Sequence, residues 1–362
     1  MKNKEDFYVD IKERALNIYE QYQFLMKGIF KNETNISKYK LNFYIKEDAN
    51  LGGKAWCEKY TDNILIYKGV IDNFFDYFYS FTKMQSKSFL EKLHFNYEDE
   101  TEVSYELLKF VDNGKANIFD SKIIDIKLAG LLTIFVSRFI ITHELGHLLN
   151  GHCEFLYSKD KKNIQYISMF EKDKNQTTKT ISPLDFRTLE MDADAFAATD
   201  NCRNLILLYE LFEEKVDSDL NIKPIDLFYW WSFAIRSNFL ITQRILNDEE
   251  YKVDKTHLPS VARWILILGS MLNIIESDTY KINYRVGDSK EKLLQSFVNG
   301  FVYAEKCYNE IFYTNYNCIE ETINSEDYVH YASATQRNWE NLRSELDIFS
   351  RLPLYKSRSP FS

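Results

Sequence analysis

The chain has 362 residues, with 45 Lys and Arg against 54 Asp and Glu, and a formal net charge of −9. A hydrophobic fraction of 45% can bury a sizeable core, which argues against disorder, and 11 Gly with 5 Pro are too few for a collagen-like or low-complexity chain. Scarce turn residues favour helices over a multi-stranded barrel or sandwich, and the acidic balance argues against a nucleic-acid partner.

The N-terminal part combines a helical pattern with the clearest strand patterns of the chain. Residues 1–40 predict a charged helix, because apolar side chains recur every three or four positions. Alternation, aromatic content and turn signals predict three short strands over 41–45, 54–60 and 64–67, with turns at Gly52-Gly53 and Asp62-Asn63. A helix is expected to begin at Gly69.

Helical patterns dominate the remainder. A long apolar helix is predicted over 123–150, with Asn150-Gly151 as its C-terminal cap, and another begins at Ser182-Pro183. The polar, aperiodic stretch 158–180 between them predicts an exposed excursion. Further helices are predicted over 203–216, 224–247, 260–276, 288–312 and 331–350. The fold class is therefore mainly α with a small N-terminal β-sheet (α+β).

Cysteine use and hydropathy favour a cytoplasmic protein. The five cysteines are odd in number and widely spaced, without a CxxC pair, which fits a reducing compartment. No secretory signal is visible at the N-terminus. The apolar stretches 128–142, 227–246 and 264–275 are short or interrupted by polar residues, whereas a membrane span needs about 18 apolar residues. No membrane span is expected.

The strongest chemical signal is His143-Glu-Leu-Gly-His147, at the end of the long apolar helix. Two histidines four positions apart share one face of a helix and can bind a single Zn²⁺. Glu144 beside them can take a proton from a zinc-bound water, so the segment predicts a metal-dependent hydrolase. A helix with two surface histidines is the alternative reading.

A catalytic zinc site needs a third protein ligand, and the helix that begins at Ser182-Pro183 can provide it. We predict Glu190 as that ligand and Asp194, one turn later, as the acceptor of the free N–H of a ligand histidine. Asp192 is expected to point elsewhere, into solvent. Taken alone, this segment would be an ordinary acidic amphipathic helix.

Three further residues are candidates for the site. His152 could support a ligand, contact substrate or lie on the surface, but it is not expected to bind the metal. His257 stands beside Pro259 at the start of a helix and could stabilise the oxyanion. Arg263 could pair with Asp194 or another acid, or bind a substrate carboxylate. A capped helix end with a surface histidine is the alternative for the 256–263 segment.

Together, His143-Glu-x-x-His147 and Glu190-x-x-Ala-Asp194 resemble the gluzincin metallopeptidases. The second motif is similar to the prenyl-protease and HtpX-like group, whose Thr-His-Pro…Arg segment resembles 256–263 with one residue inserted. Phe196–Ala198 resembles the ImmA/IrrE-type peptidases. Asn150-Gly-His152 and the helical body are most similar to the Lit-type phage-exclusion peptidases.

The resemblance implies a compact zincin-like core over 41–265, preceded by the helix of 1–40 and followed by a helical extension over 266–362. It implies a zinc endopeptidase of phage defence or regulated stress, acting on one intracellular protein after a trigger. The 158–180 stretch is the candidate cover or trigger-sensing loop. Two alternatives remain open: a sensor or toxin-type binding protein with a structural or vestigial zinc site, and a metal-dependent hydrolase of a non-peptide amide.

Overall fold

A computed structural model describes residues 40–84, 121–159, 167–168, 181–215, 224–245, 260–276, 290–315 and 326–354. The four described strands are β1 (Lys40–Lys46), β2 (Gly53–Glu58), β3 (Thr61–Tyr67) and β4 (Ile167–Ser168). The eight described helices are α1 (Lys68–Met84), α2 (Ser121–Leu149), α3 (His152–Lys159), α4 (Pro183–Lys215), α5 (Pro224–Ile245), α6 (Ser260–Glu276), α7 (Lys290–Phe312) and α8 (Glu326–Leu346). The predicted mainly α fold with a small sheet is confirmed. The predicted helix over 1–40 lies outside the described residues.

The sheet has the order β1-β3-β2-β4, in which β1 is parallel to β3 and the other pairs are antiparallel. The three N-terminal strands were predicted, but β4 was not, because two residues carry too little pattern to indicate a strand. The turn predicted at Asp62-Asn63 is wrong. Both residues are buried in β3, and the hairpin instead turns at Lys59-Tyr60, where Lys59 has a φ of 56°.

Helix α2 crosses the interior of the protein. Among the described residues it alone has a segment, Leu128–Leu149, that is long and apolar enough to span a membrane, but nearly all of this segment is buried inside the protein. Its apolar side chains pack on the sheet and on the neighbouring helices. The metal motif therefore lies on a core helix, with no described side chain of its last turns exposed.

Helix α4 packs against α2, α6 and α8. Its start was predicted correctly: the Ser182 hydroxyl accepts the backbone N–H of Asp185, and the Asp185 carboxylate accepts that of Ser182. The two helices approach closely at Gly146, because a methyl group there would lie 3.2 Å from Cβ of Phe196 and 3.3 Å from Cα of Ala193. The absence of a side chain at Gly146 lets α2 and α4 touch beside the motif.

The segment after α8 closes the end of α2. The backbone N–H of Arg351 donates to the carbonyl of Leu149, one of the last carbonyls of α2, at 2.8 Å. The Arg351 guanidinium forms ion pairs with Asp62 on β3 and Glu154 on α3. These contacts join the sheet, the end of the motif helix and the C-terminal part of the chain.

Candidate metal centre

The two histidines of the motif face the same point from successive turns of α2. Nε2 of His143 lies 3.0 Å from Nε2 of His147, and both side chains are fully buried. Glu190 approaches from α4, with Oε2 at 3.3 Å from Nε2 of His143 and Oε1 at 3.4 Å from Nε2 of His147. The crossing of α2 and α4 thus brings together the three side chains predicted as ligands.

These distances fit a metal ion. Ligand atoms placed 2.0–2.1 Å from a tetrahedral zinc are separated from one another by about 3.3–3.4 Å. The two nitrogens are 3.0 Å apart, and each lies 3.3–3.4 Å from a different oxygen of the Glu190 carboxylate, so the three side chains are spaced as ligands of one ion. Among the described residues, His143, His147 and Glu190 form the one group of this kind that could hold a metal ion.

Each ligand histidine has its own support. Behind His143, Nδ1 donates to Oδ1 of Asp194 at 2.9 Å. Asp194 in turn accepts two hydrogen bonds from Arg263 on α6, at 2.7 and 2.8 Å. The structure therefore places Asp194 against His143 as predicted. Of the possibilities for Arg263, it shows pairing with acids: with Asp194 and, at 3.8 Å, with Glu190. A guanidinium held by two parallel hydrogen bonds fixes the carboxylate geometrically.

Arg263 is itself held by the start of α6. Ser260, three residues earlier, accepts a hydrogen bond from Arg236 and donates one to Gln243, both on α5. Arg236 also forms a buried ion pair with Glu305 on α7. This polar network fixes the helix that presents Arg263 to the site.

Behind His147 stands a different arrangement. Nδ1 of His147 lies 2.9 Å from Nδ1 of His152, and Nε2 of His152 lies 3.0 Å from Oδ2 of Asp192. The same oxygen accepts a hydrogen bond from Asn150. His152 is fully buried, so it is not a surface histidine, and Asp192 is not solvated: its exposure is 9%.

The ionisation of the cluster follows from its contacts. Burial acts to lower the pKa of His143, but hydrogen bonds with Asp194 and Glu190 outweigh it and raise the pKa to about 9. Burial lowers the pKa of His147 to about 3. Burial would raise the pKa of Glu190, yet its hydrogen bonds with the two imidazoles hold it well below the usual range. Without a metal, a proton on His143 therefore serves as the local cation, and a metal ion would replace it.

Glu144 lies between the ligand pair and the sheet. Its side chain is fully buried, and a methyl group on Gly53 of β2 would stand 3.0 Å from its Cγ and 3.1 Å from its Oε1. The glycine at the start of β2 thus leaves room for this carboxylate. Any residue larger than glycine at position 53 would have to displace Glu144 or Ile66.

The predicted site residues are therefore placed as follows. The structure brings together seven of them, namely His143, Glu144, His147, His152, Glu190, Asp194 and Arg263. His257 lies outside the described residues. Sequence reasoning missed Asp192 and Asn150, although Asn150-Gly-His152 directly after the motif was a local signal that the chain turns back over it.

Comparisons with protein-family models, with curated proteins and with solved structures found no match to this chain.

Proposed function

We propose that the chain is a zinc-dependent peptidase. The observation that carries this proposal is the convergence of two imidazole nitrogens and a carboxylate within 3.0–3.4 Å of one another, with Glu144 adjacent in sequence to the first ligand. Two nitrogens and one carboxylate oxygen, with a fourth position left for water or substrate, are a donor set typical of catalytic zinc. A bound zinc ion would supply Lewis acidity, which polarises a carbonyl and acidifies water.

The chain's own residues then have distinct tasks. Glu144 takes the proton of the attacking water and delivers it to the leaving amine. Asp194 and Arg263 hold His143, and His257 remains the proposed donor to the oxyanion. The sequence resemblance to Lit-type and other gluzincin peptidases supports a protein substrate in the cytoplasm and a role in phage exclusion or regulated stress. Four cysteines among the described residues are free thiols, which agrees with a reducing compartment.

Burial of the site supports latency. Glu144 and the three ligands are each at most 4% exposed. An extended chain must reach Glu144 to be cleaved, so we propose that a trigger protein or peptide opens the site. Of the proposed cover over 158–180, the structure describes residues 158–159 at the end of α3 and the strand β4, which pairs with Lys54 and Ala55 of β2. This pairing occupies the sheet edge next to the strand that contacts Glu144.

The same burial favours a second candidate, a hydrolase of a small non-peptide amide. A substrate of that size needs less opening of the site than a protein chain does. Cleavage of proteins by the activated enzyme would exclude this candidate as the main activity. Turnover of small amides without cleavage of any protein would establish it instead.

The test combines metal content with cleavage profiling. Purified wild type should contain one zinc per chain, and proteome-wide profiling, with and without phage infection, should reveal a cut that Glu144→Gln abolishes while retaining zinc. Glu340→Gln is the matched control, because this exposed acid on α8 lies outside the metal centre. Full proteolysis by the zinc-loaded Glu144→Gln variant would contradict the mechanism, and zinc without cleavage under any condition would favour a structural metal site.

A further inference from the structure

The His147 side of the metal centre contains a chain of polar side chains that the ligand set itself does not require. His147 contacts His152, His152 contacts Asp192, and Asn150 donates to the same Asp192 oxygen. All four side chains are buried, with exposures between 0 and 9%. Polar groups buried in a folded protein generally have hydrogen-bond partners. Each of the three contacts named here is within hydrogen-bond distance.

The direction of these hydrogen bonds follows from the carboxylate at the end. A carboxylate accepts hydrogen bonds, so Nε2 of His152 carries the proton that it shares with Asp192. A neutral imidazole has one N–H, so Nδ1 of His152 is an acceptor. Nδ1 of His147 must therefore donate to it, which leaves the lone pair of His147 on Nε2. That atom is the one that faces His143 and Glu190.

We propose that His152 and Asp192 are positioning residues that lock His147 in its metal-binding tautomer through a relay of two imidazoles and one carboxylate. The proposal rests on the metal-binding part of the proposed function and not on peptide hydrolysis. If the direction of the relay were reversed, the proton of His147 would sit on Nε2, and this nitrogen could not bind a metal.

The backbone is built to bring His152 back over His147. Gly151 has a φ of 80°, a left-handed conformation that ends α2 and allows α3 to start at once with His152. A methyl group on Gly151 would lie 2.5 Å from the carbonyl carbon of Phe349, so the C-terminal segment also requires a glycine there. The sequence Asn150-Gly151-His152 thus supplies His152, the amide that donates to Asp192, and the turn that places both.

The two ligand histidines consequently differ in what lies behind them. His143 contacts its carboxylate directly, and Arg263 neutralises that carboxylate. His147 contacts its carboxylate through an imidazole, and Asp192 accepts hydrogen bonds from that imidazole and from the neutral amide of Asn150. The negative charge of Asp192 therefore acts through His152 and increases the electron-donating strength of His147 toward a metal.

The test measures zinc affinity of the full chain by competition with a chromophoric chelator. His152→Phe keeps the ring but removes both hydrogen bonds, so zinc should bind about 10–100-fold more weakly. His152→Gln can accept from His147 and donate to Asp192, so it should recover most of the affinity. Asp192→Asn keeps an acceptor but removes the charge and should lie between wild type and His152→Phe. Thermal unfolding of each apo variant separates these losses from misfolding.

A second measurement needs no variant. Nitrogen-15 NMR of the zinc-loaded wild type should show His147 protonated on Nδ1 and His152 protonated on Nε2. A proton on Nδ1 of His152, or wild-type affinity in folded His152→Phe, would overturn the relay while leaving the metal site in place. Failure of the wild type to bind zinc at all would overturn the relay together with the proposed function, whereas zinc binding without proteolysis would leave the relay intact.

Discussion

Replacing either Asp194 or Arg263 should lower the stability of the protein, but only the change at Asp194 should weaken zinc binding. Arg263 donates to both oxygens of Asp194, at 2.7 and 2.8 Å, and the two side chains are 1% and 2% exposed. Removing one member of such a pair leaves a buried charge and costs about 3–5 kcal/mol. Asp194→Asn and Arg263→Met should each lower the free energy of unfolding of the apo-protein by that order.

The double variant should recover much of this loss. Replacing both members of a buried ion pair by groups of similar volume is often neutral, because no unpaired charge remains. A double-mutant cycle from urea denaturation at pH 7 should therefore give a coupling free energy of about 3 kcal/mol or more between Asp194 and Arg263. The free energy of unfolding of a domain is about 5–15 kcal/mol in total. Each single variant should therefore lose a large part of its stability and unfold at a low urea concentration.

Substitutions at Asp194 and at Arg263 should differ in their effect on zinc affinity. Asp194 also accepts the hydrogen bond from Nδ1 of His143, so Asp194→Asn should weaken zinc binding about 10–100-fold, and the double variant should share that defect despite its recovered stability. Arg263→Met leaves the carboxylate facing His143 and should bind zinc at least as tightly as wild type.

The ion pair between Arg138 and Asp200 provides the control. It also joins α2 to α4, at 2.6 Å, and its two residues are not among those that form the metal centre. Asp200→Asn should lower stability without changing zinc affinity. Equal weakening of zinc binding by Asp194→Asn and Arg263→Met, or by Asp200→Asn, would refute the assignment of Asp194 as the support of His143.

Three other predictions follow from the geometry. Glu144→Gln should lower kcat by about 10²–10⁴-fold with zinc retained, as steady-state kinetics on an identified substrate will show. Because zinc must displace the proton of His143, whose pKa is about 9, apparent zinc affinity should rise about tenfold per pH unit between pH 6 and 8, and a pH-independent affinity would contradict this. Gly151→Ala should cost about 1–3 kcal/mol in urea denaturation because of its positive φ and the contact with Phe349, whereas Gly269→Ala, with no atom within 4 Å, should not destabilise.

The ligand set was predictable because each part has a local sequence signature. Residues four apart on a helix share a face whatever the rest of the fold does, so His143 and His147 had to face one point once α2 formed. Glu190 followed from the need for a third ligand and from the predicted helix that begins at Ser182-Pro183. The strands β1 to β3 were predictable for the same kind of reason, since alternation of apolar side chains is local.

The errors lie where a tertiary contact overrides a local pattern. Asp62 and Asn63 have the composition of a turn, yet the structure buries Asp62 in β3, where it pairs with Arg351, almost 300 residues later in the chain. Strand β4 exists because β2 offers an edge to pair with, and its two residues carry no pattern of their own. No local rule connects either feature to its distant partner.

Asp192 shows how the environment of a whole helix decides the role of one acid. Two residues from Glu190, it points about 200° around α4, and on an amphipathic helix that direction would face solvent. Helix α4 is instead covered by α2, α6 and α8, so Glu190, Asp192 and Asp194 are all buried. Three carboxylates in one buried stretch require compensation. One guanidinium, that of Arg263, pairs with both Asp194 and Glu190, so it cannot balance all three acids. A divalent cation held by the ligands would compensate the negative charge that remains, which is an argument for a metal that the spacing of the motif alone does not contain.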